Sequence, residues 1–358
     1  MFRIIVVSVI TCFFIGLSPT AHSQTSVKND SLIYPDEKHF KNLRQLTFGG
    51  DNAEAYFSRD GKYLVYQKTN VKEGIPCDQI WMGKIPGKDE PFLPKLVSSG
   101  KGRTTCAFFY PDGKHILYAS THLSSTDCPP VPDKVKRYIW PVYSGFDIFK
   151  ADTNGHIIKR LTKTKGYDAE ATISPKGDKI VFTSLRNGDL DLYTMDIHGR
   201  HVKRITHTLG YDGGAWFSPD GKKIVWRASR PVTPEEVADY KDLLSKNLVA
   251  PTSMEVWIAN ADGTEAQQVT FLEKANWAPN FLPDGKRIIF CSNHEYKRGF
   301  PFNMYITSMD DKGLEKVSHD NGFDAFPMFS GDGKKFAFSS NRNNGGTHDT
   351  NVFVADWV

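Results

Sequence analysis

Six polar residues hold one recurring place in the chain. Asn52, Thr104, Asp168, Asp212, Asn276 and Asp324 each stand nine residues ahead of a glycine that closes a tight-turn motif. Three share nearly the same context, Gly166-Tyr-Asp168, Gly210-Tyr-Asp212 and Gly322-Phe-Asp324, and Asp51, Glu54 and Glu170 add charge close by. Carboxylates drawn together from several repeats are the donors that a hard cation such as Ca²⁺ requires, and they also attract cationic groups. Asp168, Asp212 and Asp324 are therefore candidate metal ligands. Asn52, Glu170 and Asn276 join the three Asp residues as candidate contacts for a ligand or partner. The same spelling has a local reading, in which an Asp after Gly-aromatic bonds backbone amides of its own loop, and a repeat copies that device. Ser-x-Arg elements at Arg186 and Arg230, with Asn341-Arg342, read as braces between strands. Histidines at 122, 207, 294, 319 and 348 are scattered singly. Neither His-Glu-x-x-His nor Gly-x-Ser-x-Gly occurs, so no residue is assigned a catalytic role.

The elements that must position these residues are visible as repeats. The turn motif occurs as Phe57-Ser-Arg-Asp-Gly-Lys62, Phe109-Tyr-Pro-Asp-Gly-Lys114, Ile173-Ser-Pro-Lys-Gly-Asp178, Phe217-Ser-Pro-Asp-Gly-Lys222, Phe281-Leu-Pro-Asp-Gly-Lys286 and Phe329-Ser-Gly-Asp-Gly-Lys334. Pro presets φ, Asp tolerates turn geometry and Gly takes positive φ. Three residues beyond each Gly an apolar triplet begins, such as Ile180-Val-Phe182 or Ile224-Val-Trp226, so each motif predicts a β-hairpin. A third strand follows in every copy (Asp191-Leu-Tyr193, Asn351-Val-Phe353), and a fourth ends in Leu-Thr or its like (Leu161-Thr162, Val269-Thr270). Only five fourth strands follow a third. The sixth copy, Leu43-Arg-Gln-Leu-Thr47, lies near the N-terminus, while the chain ends just after the last third strand. The pattern predicts an all-β fold: a six-bladed β-propeller of four-stranded blades over residues 40–358, closed by an N-terminal strand that completes the last blade and removes its exposed edge.

Leu-Thr, a gap, Phe217-Ser-Pro-Asp-Gly-Lys-Lys-Ile-Val225, then Ser-x-Arg and Leu-Tyr-x-Met resembles the TolB-type, WD40-like propeller repeat, most closely between Arg160 and Arg230. The resemblance covers nearly all of residues 40–358. It implies the propeller fold, and through the family a place in the cell envelope. TolB proper carries an α/β domain ahead of its propeller. Here about 20 residues separate Ser23 from the first strand, so the resemblance is to the propeller and not to TolB proper.

Alternating strand direction puts the loops between second and third strands on one face with those joining consecutive blades. From the aromatic ending the second strand to that in the third there are 31 residues in blades 2 (Tyr118 to Phe149) and 4 (Trp226 to Trp257), against 11 in blade 3 (Phe182 to Tyr193). Insertions at 121–146 and 231–253 are thus expected to rise as walls, with blade 3 as the floor of a notch. Thr233-Pro-Glu-Glu236 is a capping box with Pro at the first helical position, predicting a helix from Pro234 to Lys246. Tyr138, Trp140 and Tyr143 in the other insertion are candidates to touch a ligand or partner, or to pack internally.

Composition sets the class. Of 358 residues, 39% are hydrophobic, 13% aromatic and 24% charged, with a net charge of +4; this is a globular chain with no basic stripe for nucleic acid. Arg3, the apolar run from Ile4 to Leu17 and Ala21-His-Ser23 read as a cleavable signal peptide over residues 1–23, followed by a linker at 24–39, which predicts a periplasmic or secreted product with no transmembrane segment in the mature chain. Export permits disulfides; one pair among Cys77, Cys106 and Cys128 is expected, the alternative being that these and Cys291 are small buried apolar residues. The leading expectation is a binding module that presents its loop-rich channel face to an envelope protein, peptide or glycan. The alternative is a metal-dependent propeller lyase or hydrolase using the acidic channel mouth.

Overall fold

The computed structural model describes residues 32–133, 137–297, 299–310 and 313–358. The signal-peptide reading of residues 1–23 lies outside them. The described chain forms six four-stranded antiparallel sheets. Blade 1 comprises Asp51–Phe57, Tyr63–Asn70, Ile75–Lys84 and Lys95–Leu96; blade 2, Thr104–Phe109, His115–Ser120, Asp147–Asp152 and Ile157–Arg160; blade 3, Asp168–Ile173, Lys179–Ser184, Asp191–Asp196 and Lys203–Arg204. Blade 4 comprises Asp212–Phe217, Lys223–Ala228, Glu255–Asn260 and Gln267–Gln268; blade 5, Asn276–Phe281, Arg287–Ser292, Asn303–Ser308 and Leu314–Lys316; blade 6, Asp324–Phe329, Lys335–Ser340, Asn351–Trp357 and the N-terminal Phe40–Gln45. Each first strand neighbours the first strand of the next blade, and that of blade 6 returns to blade 1, so these strands line a central channel.

Closure follows the predicted route. Phe40 pairs with Trp357 and Gln45 with Phe353. The His39 ring stacks on Trp357 at 4.6 Å. The residues just before this strand are also anchored: Leu32 and Glu37 are buried.

Sheets stacked face to face bury both surfaces, which explains why second strands read as unbroken apolar runs and not as alternating ones. Val65 and Ile80 of blade 1 pack with Ile116, Tyr118 and Phe149 of blade 2. Val181 and Leu192 pack in the same way with Ile224 and Trp226 between blades 3 and 4. The turn motif works by side chain as well as by φ. Ser218 Oγ donates to Asp220 at 2.6 Å, Asp220 accepts from the Lys222 amide, and Gly221 holds φ 72°.

The insertions meet each other. Trp140–Pro141 pairs with Leu248–Val249 as a two-stranded sheet. Helix α1, Pro234–Ser245, begins with the expected capping box between Thr233 and Glu236. Its Tyr240 hydroxyl donates to Asp189 of blade 3 at 2.5 Å, and Tyr240 joins Leu190 in one apolar cluster. The notch expected above blade 3 is therefore filled by α1, because the helix's apolar stripe finds its partner there. A disulfide joins Cys77 of blade 1 to Cys128 of the blade 2 insertion, while Cys106 and Cys291 stay free.

Candidate functional site

The six polar positions lie inside the blades, not on an open rim. Asn52, Thr104, Asp168, Asp212, Asn276 and Asp324 are all buried. Each Asp meets the Arg of its own blade: Asp168 with Arg186 at 3.0 Å, Asp212 with Arg230 at 2.6 Å and Asp324 with Arg342 at 2.9 Å. Ser184 donates to Asp168, and the Trp226 indole N–H donates to Asp212. Two of the neutral positions use neutral partners at the same interval, while Asn52 donates to the Gly49 and Thr350 carbonyls. Thr104 reaches His122 through Ser120, and Asn276 reaches His294 through Ser292. Ser-x-Arg and the acidic ring are thus two halves of one brace. Burial pushes the Asp212 carboxyl up to about 6, against the pull of Arg230. Asp168, Asp212 and Asp324 each keep a second oxygen with no hydrogen-bond partner among the described residues, but these oxygens sit in separate blades. No three His, Cys, Asp or Glu side chains gather into a metal-holding group among the described residues. Asp168, Asp212 and Asp324 consequently do not fit a shared Ca²⁺ site: one oxygen of each is held by an arginine, and the three sit in separate blades.

The open space lies two residues further along each first strand. There the register shifts by a bulge in all six blades. Glu54, Cys106, Glu170, Gly214, Ala278 and Phe326 adopt left-handed φ between 49° and 64° at that point. Left-handed φ is costly for most side chains, so its presence in every blade marks an architectural device that turns one residue per blade into the channel. These six residues line a small chamber of about 40 Å³, with Tyr56, Trp216 and Arg227. Gly214 leaves room for Arg227: a Cβ there would lie 2.1 Å from the guanidinium and force it to shift. Arg227 fills that gap, pairs with Glu170 and accompanies the Tyr211 hydroxyl, which donates to Glu170 at 2.7 Å. Glu54 lacks an arginine of its own, and burial pushes its carboxyl up to about 7. Burial likewise raises the Cys106 thiol well above its ordinary value, so it is not a ready nucleophile.

Two aromatic layers bound this chamber. Toward the turn face, Tyr56, Phe108 and Trp216 meet at centroid distances of 4.8 to 6.2 Å. Blades 1 and 4 are diametrically opposed, so the Tyr56–Trp216 contact crosses the channel. Toward the loop face, Trp140 lies 4.8 Å from Trp277 and 5.2 Å from the Arg227 guanidinium. Tyr138 stacks on Trp277, and Trp277 on Phe302. Blades 2 and 5 are also opposed, so the blade 2 insertion spans the loop-face mouth. The aromatic run continues from Phe302 to Phe300 and Phe323. Tyr138 (44% exposed) and Phe300 (64%) are its open ends. Tyr143 instead donates to the Pro130 carbonyl and braces the insertion.

Of the residues singled out in the sequence, the structure brings Tyr138 and Trp140 together at the mouth and places Glu170 in the chamber. It keeps Asn52, Asp168, Asp212, Asn276 and Asp324 buried inside the blades, out of both. Sequence reasoning missed Cys106, Arg227, Tyr211, Trp277 and Phe300. The repeat frame held a signal for Cys106, since it occupies the same place in blade 2 as Glu54 and Glu170 do in blades 1 and 3.

Residues 143–238 match the family model described as TolB beta propeller domain. No curated protein matches the chain. Among solved structures, a putative TolB from Agrobacterium tumefaciens aligns with a TM-score of 0.56 at 18% identity, covering 86% of this chain and 91% of that one. TolB from Acinetobacter baumannii aligns with a TM-score of 0.51 at 20% identity, and the alignment spans 86% of this chain but only 63% of that protein. An oligogalacturonate lyase in complex with manganese aligns at 0.50 with 13% identity, covering 93% and 96%. At such identities the likeness is one of fold, and the fold serves both kinds of protein. The chain is a six-bladed β-propeller, and its residues 143–238 match the TolB beta propeller model.

Proposed function

We propose that this propeller is an exported binding module that recognises an envelope protein or peptide through its loop-rich face. One observation carries the reading. Two insertions join across the channel mouth and support a continuous aromatic run, from Tyr138 and Trp140 through Trp277 and Phe302 to Phe300, whose ends are exposed. Rigid, pre-packed aromatics offer large contact area at little entropic cost, and such residues dominate interface energies. Export is supported by the signal-like N-terminus and by the Cys77–Cys128 disulfide, which requires an oxidising compartment. Among the described residues no helix is long and apolar enough to cross a membrane. The lyase reading gains no support from the acidic positions, whose carboxylates are committed to arginines.

The test is affinity capture from envelope extract with the mature protein and with a Tyr138→Ser/Phe300→Ser variant of equal melting temperature. The reading expects a partner on the unaltered protein and its loss on the variant. Equal recovery by both would overturn the loop-face assignment.

A further inference from the structure

The opposite, turn-bearing end of the channel opens into a funnel of about 430 Å³. Its walls come from the turn motifs themselves: Phe57, Phe109, Ile173, Phe217, Phe281 and Phe329 at one level, and Pro111, Pro175, Pro219 and Pro283 at the rim. The aromatic plug forms its floor, with Phe108, Trp216 and Met328, all partly exposed, turned to it. Asn280 is the polar group on that floor, and its amide N–H is spent on Met328 Sδ at 3.1 Å. The volume and the mainly apolar lining are those of a small-molecule pocket.

The sequence breaks its own pattern at this rim. Four copies of the motif place Pro before Asp-Gly or Lys-Gly, but blade 1 has Arg59 and blade 6 has Gly331. These blades adjoin through ring closure, so both departures fall side by side. A Cβ at position 331 would lie 2.9 Å from the Arg59 carbonyl, so glycine clears space beside it. Arg59 is exposed, and among the described residues it is the sole charged one lining the funnel. Among the described residues no ion pair or side-chain hydrogen bond holds its guanidinium. The acids of the neighbouring turns are otherwise engaged: Asp60 accepts from Ser58 and the Lys62 amide, and Asp332 from Ser330 and the Lys334 amide. A lone guanidinium over an aromatic basin complements a ligand with an apolar body and one anionic end.

We infer that the turn-face funnel is a second binding site, separate from the loop face, for a small aromatic carboxylic acid whose ring sits on Trp216 and Phe108 and whose carboxylate pairs with Arg59. Repetition explains the phenylalanines and prolines as architecture. It does not explain one arginine in the proline position with a glycine beside it.

The test uses the mature protein with 1-naphthoate and its neutral isostere 1-naphthamide, followed by the indole N–H signal of Trp216, which a Trp216→Phe variant assigns. Arg59→Pro restores the residue found in four other blades and is expected to preserve the fold; Arg59→Gln removes the charge without touching φ. The proposal expects saturable naphthoate binding that moves the Trp216 signal and weakens about tenfold or more in both Arg59 variants, the scale of one lost charge-assisted contact. Naphthamide affinity should be the same in all three proteins. Absence of a saturable Trp216 shift up to millimolar naphthoate, or equal naphthoate affinity with and without Arg59, would overturn it. Neither result bears on partner capture at the loop face, so the two readings fail separately.

Discussion

Asp168 and Arg186 stand eighteen residues apart and meet at 3.0 Å, with Ser184 bonded to both. The interval recurs in Asp212–Arg230 and Asp324–Arg342. Each pair ties the start of a first strand to the loop leaving the second strand of its own blade. In blades 2 and 5, where the first residue is Thr or Asn, histidine takes the arginine's place. Charge is thus matched pair by pair inside the blades, which leaves the channel mouth without a free acidic ring.

The blade 6 brace is the most deeply buried and carries the greatest stake in stability. Arg342 is only 2% exposed and is shared between Glu37, Asp324 and Leu32. Arg342→Met would strand two buried carboxylates, at a cost of about 3–5 kcal/mol. Arg137→Met breaks an exposed pair with Asp239 and should cost less than about 1 kcal/mol. Urea unfolding of the two variants checks the difference.

Glu54 predicts a pH dependence of definite sign. Burial raises its carboxyl from 4.5 to about 7, so the folded chamber favours the protonated acid. That contribution is fully present below pH 4.5 and is lost as pH rises through 7. Glu54→Gln removes the loss, so the variant should gain about 1–3 kcal/mol over the unaltered protein at pH 8, and the gap should close toward pH 4.5. Unfolding curves across this range provide the measurement. A gap that widens toward low pH would contradict the burial of Glu54.

Trp140 and the insertion that carries it should control entry to the chamber. Cys106 lines that chamber as a free thiol, and Cys291 is buried as a second one. Trp140→Ala should speed labelling of Cys106 by a thiol reagent at least about tenfold, with Cys291 unchanged, as read by peptide mass spectrometry. Uniform slow labelling in both proteins would mean that the mouth is sealed by other groups.

The Cys77–Cys128 bond closes a separation of 51 residues and pins the blade 2 insertion to blade 1. Cys77→Ser/Cys128→Ser should lose about 2–4 kcal/mol. Backbone exchange should rise first in residues 121–146, with the six sheets protected. Exchange that rises evenly over all blades would show that the bond supports the ring and not the insertion.

The repeats made the ring legible. Pro-Asp-Gly turns, apolar triplets and a misplaced fourth strand were enough to count blades and to close them, because each rests on a local rule that every copy obeys. Helix α1 was legible for the same reason, through Thr233, Pro234 and Glu236. What escaped depends on contacts across the ring. No local signal says that Trp140 reaches Trp277 on the opposite blade, or that α1 fills the notch above blade 3. The acidic positions are plain in the sequence but their pairing is not, since each arginine lies eighteen residues away in a different motif. The bulge that turns Glu54, Cys106 and Glu170 into the channel leaves no mark in composition. Arg59 departs from the motif in the sequence itself, but only the convergence of the turns on one funnel sets it beside Trp216 and Phe108.

Hydrogen exchange of the propeller, free and bound to the partner it captures, tests the loop-face assignment most directly. The account predicts protection in residues 137–146, 247–253 and 299–302, with the six turn motifs unchanged. Protection centred on the turn motifs, or spread over none of these segments, would contradict it.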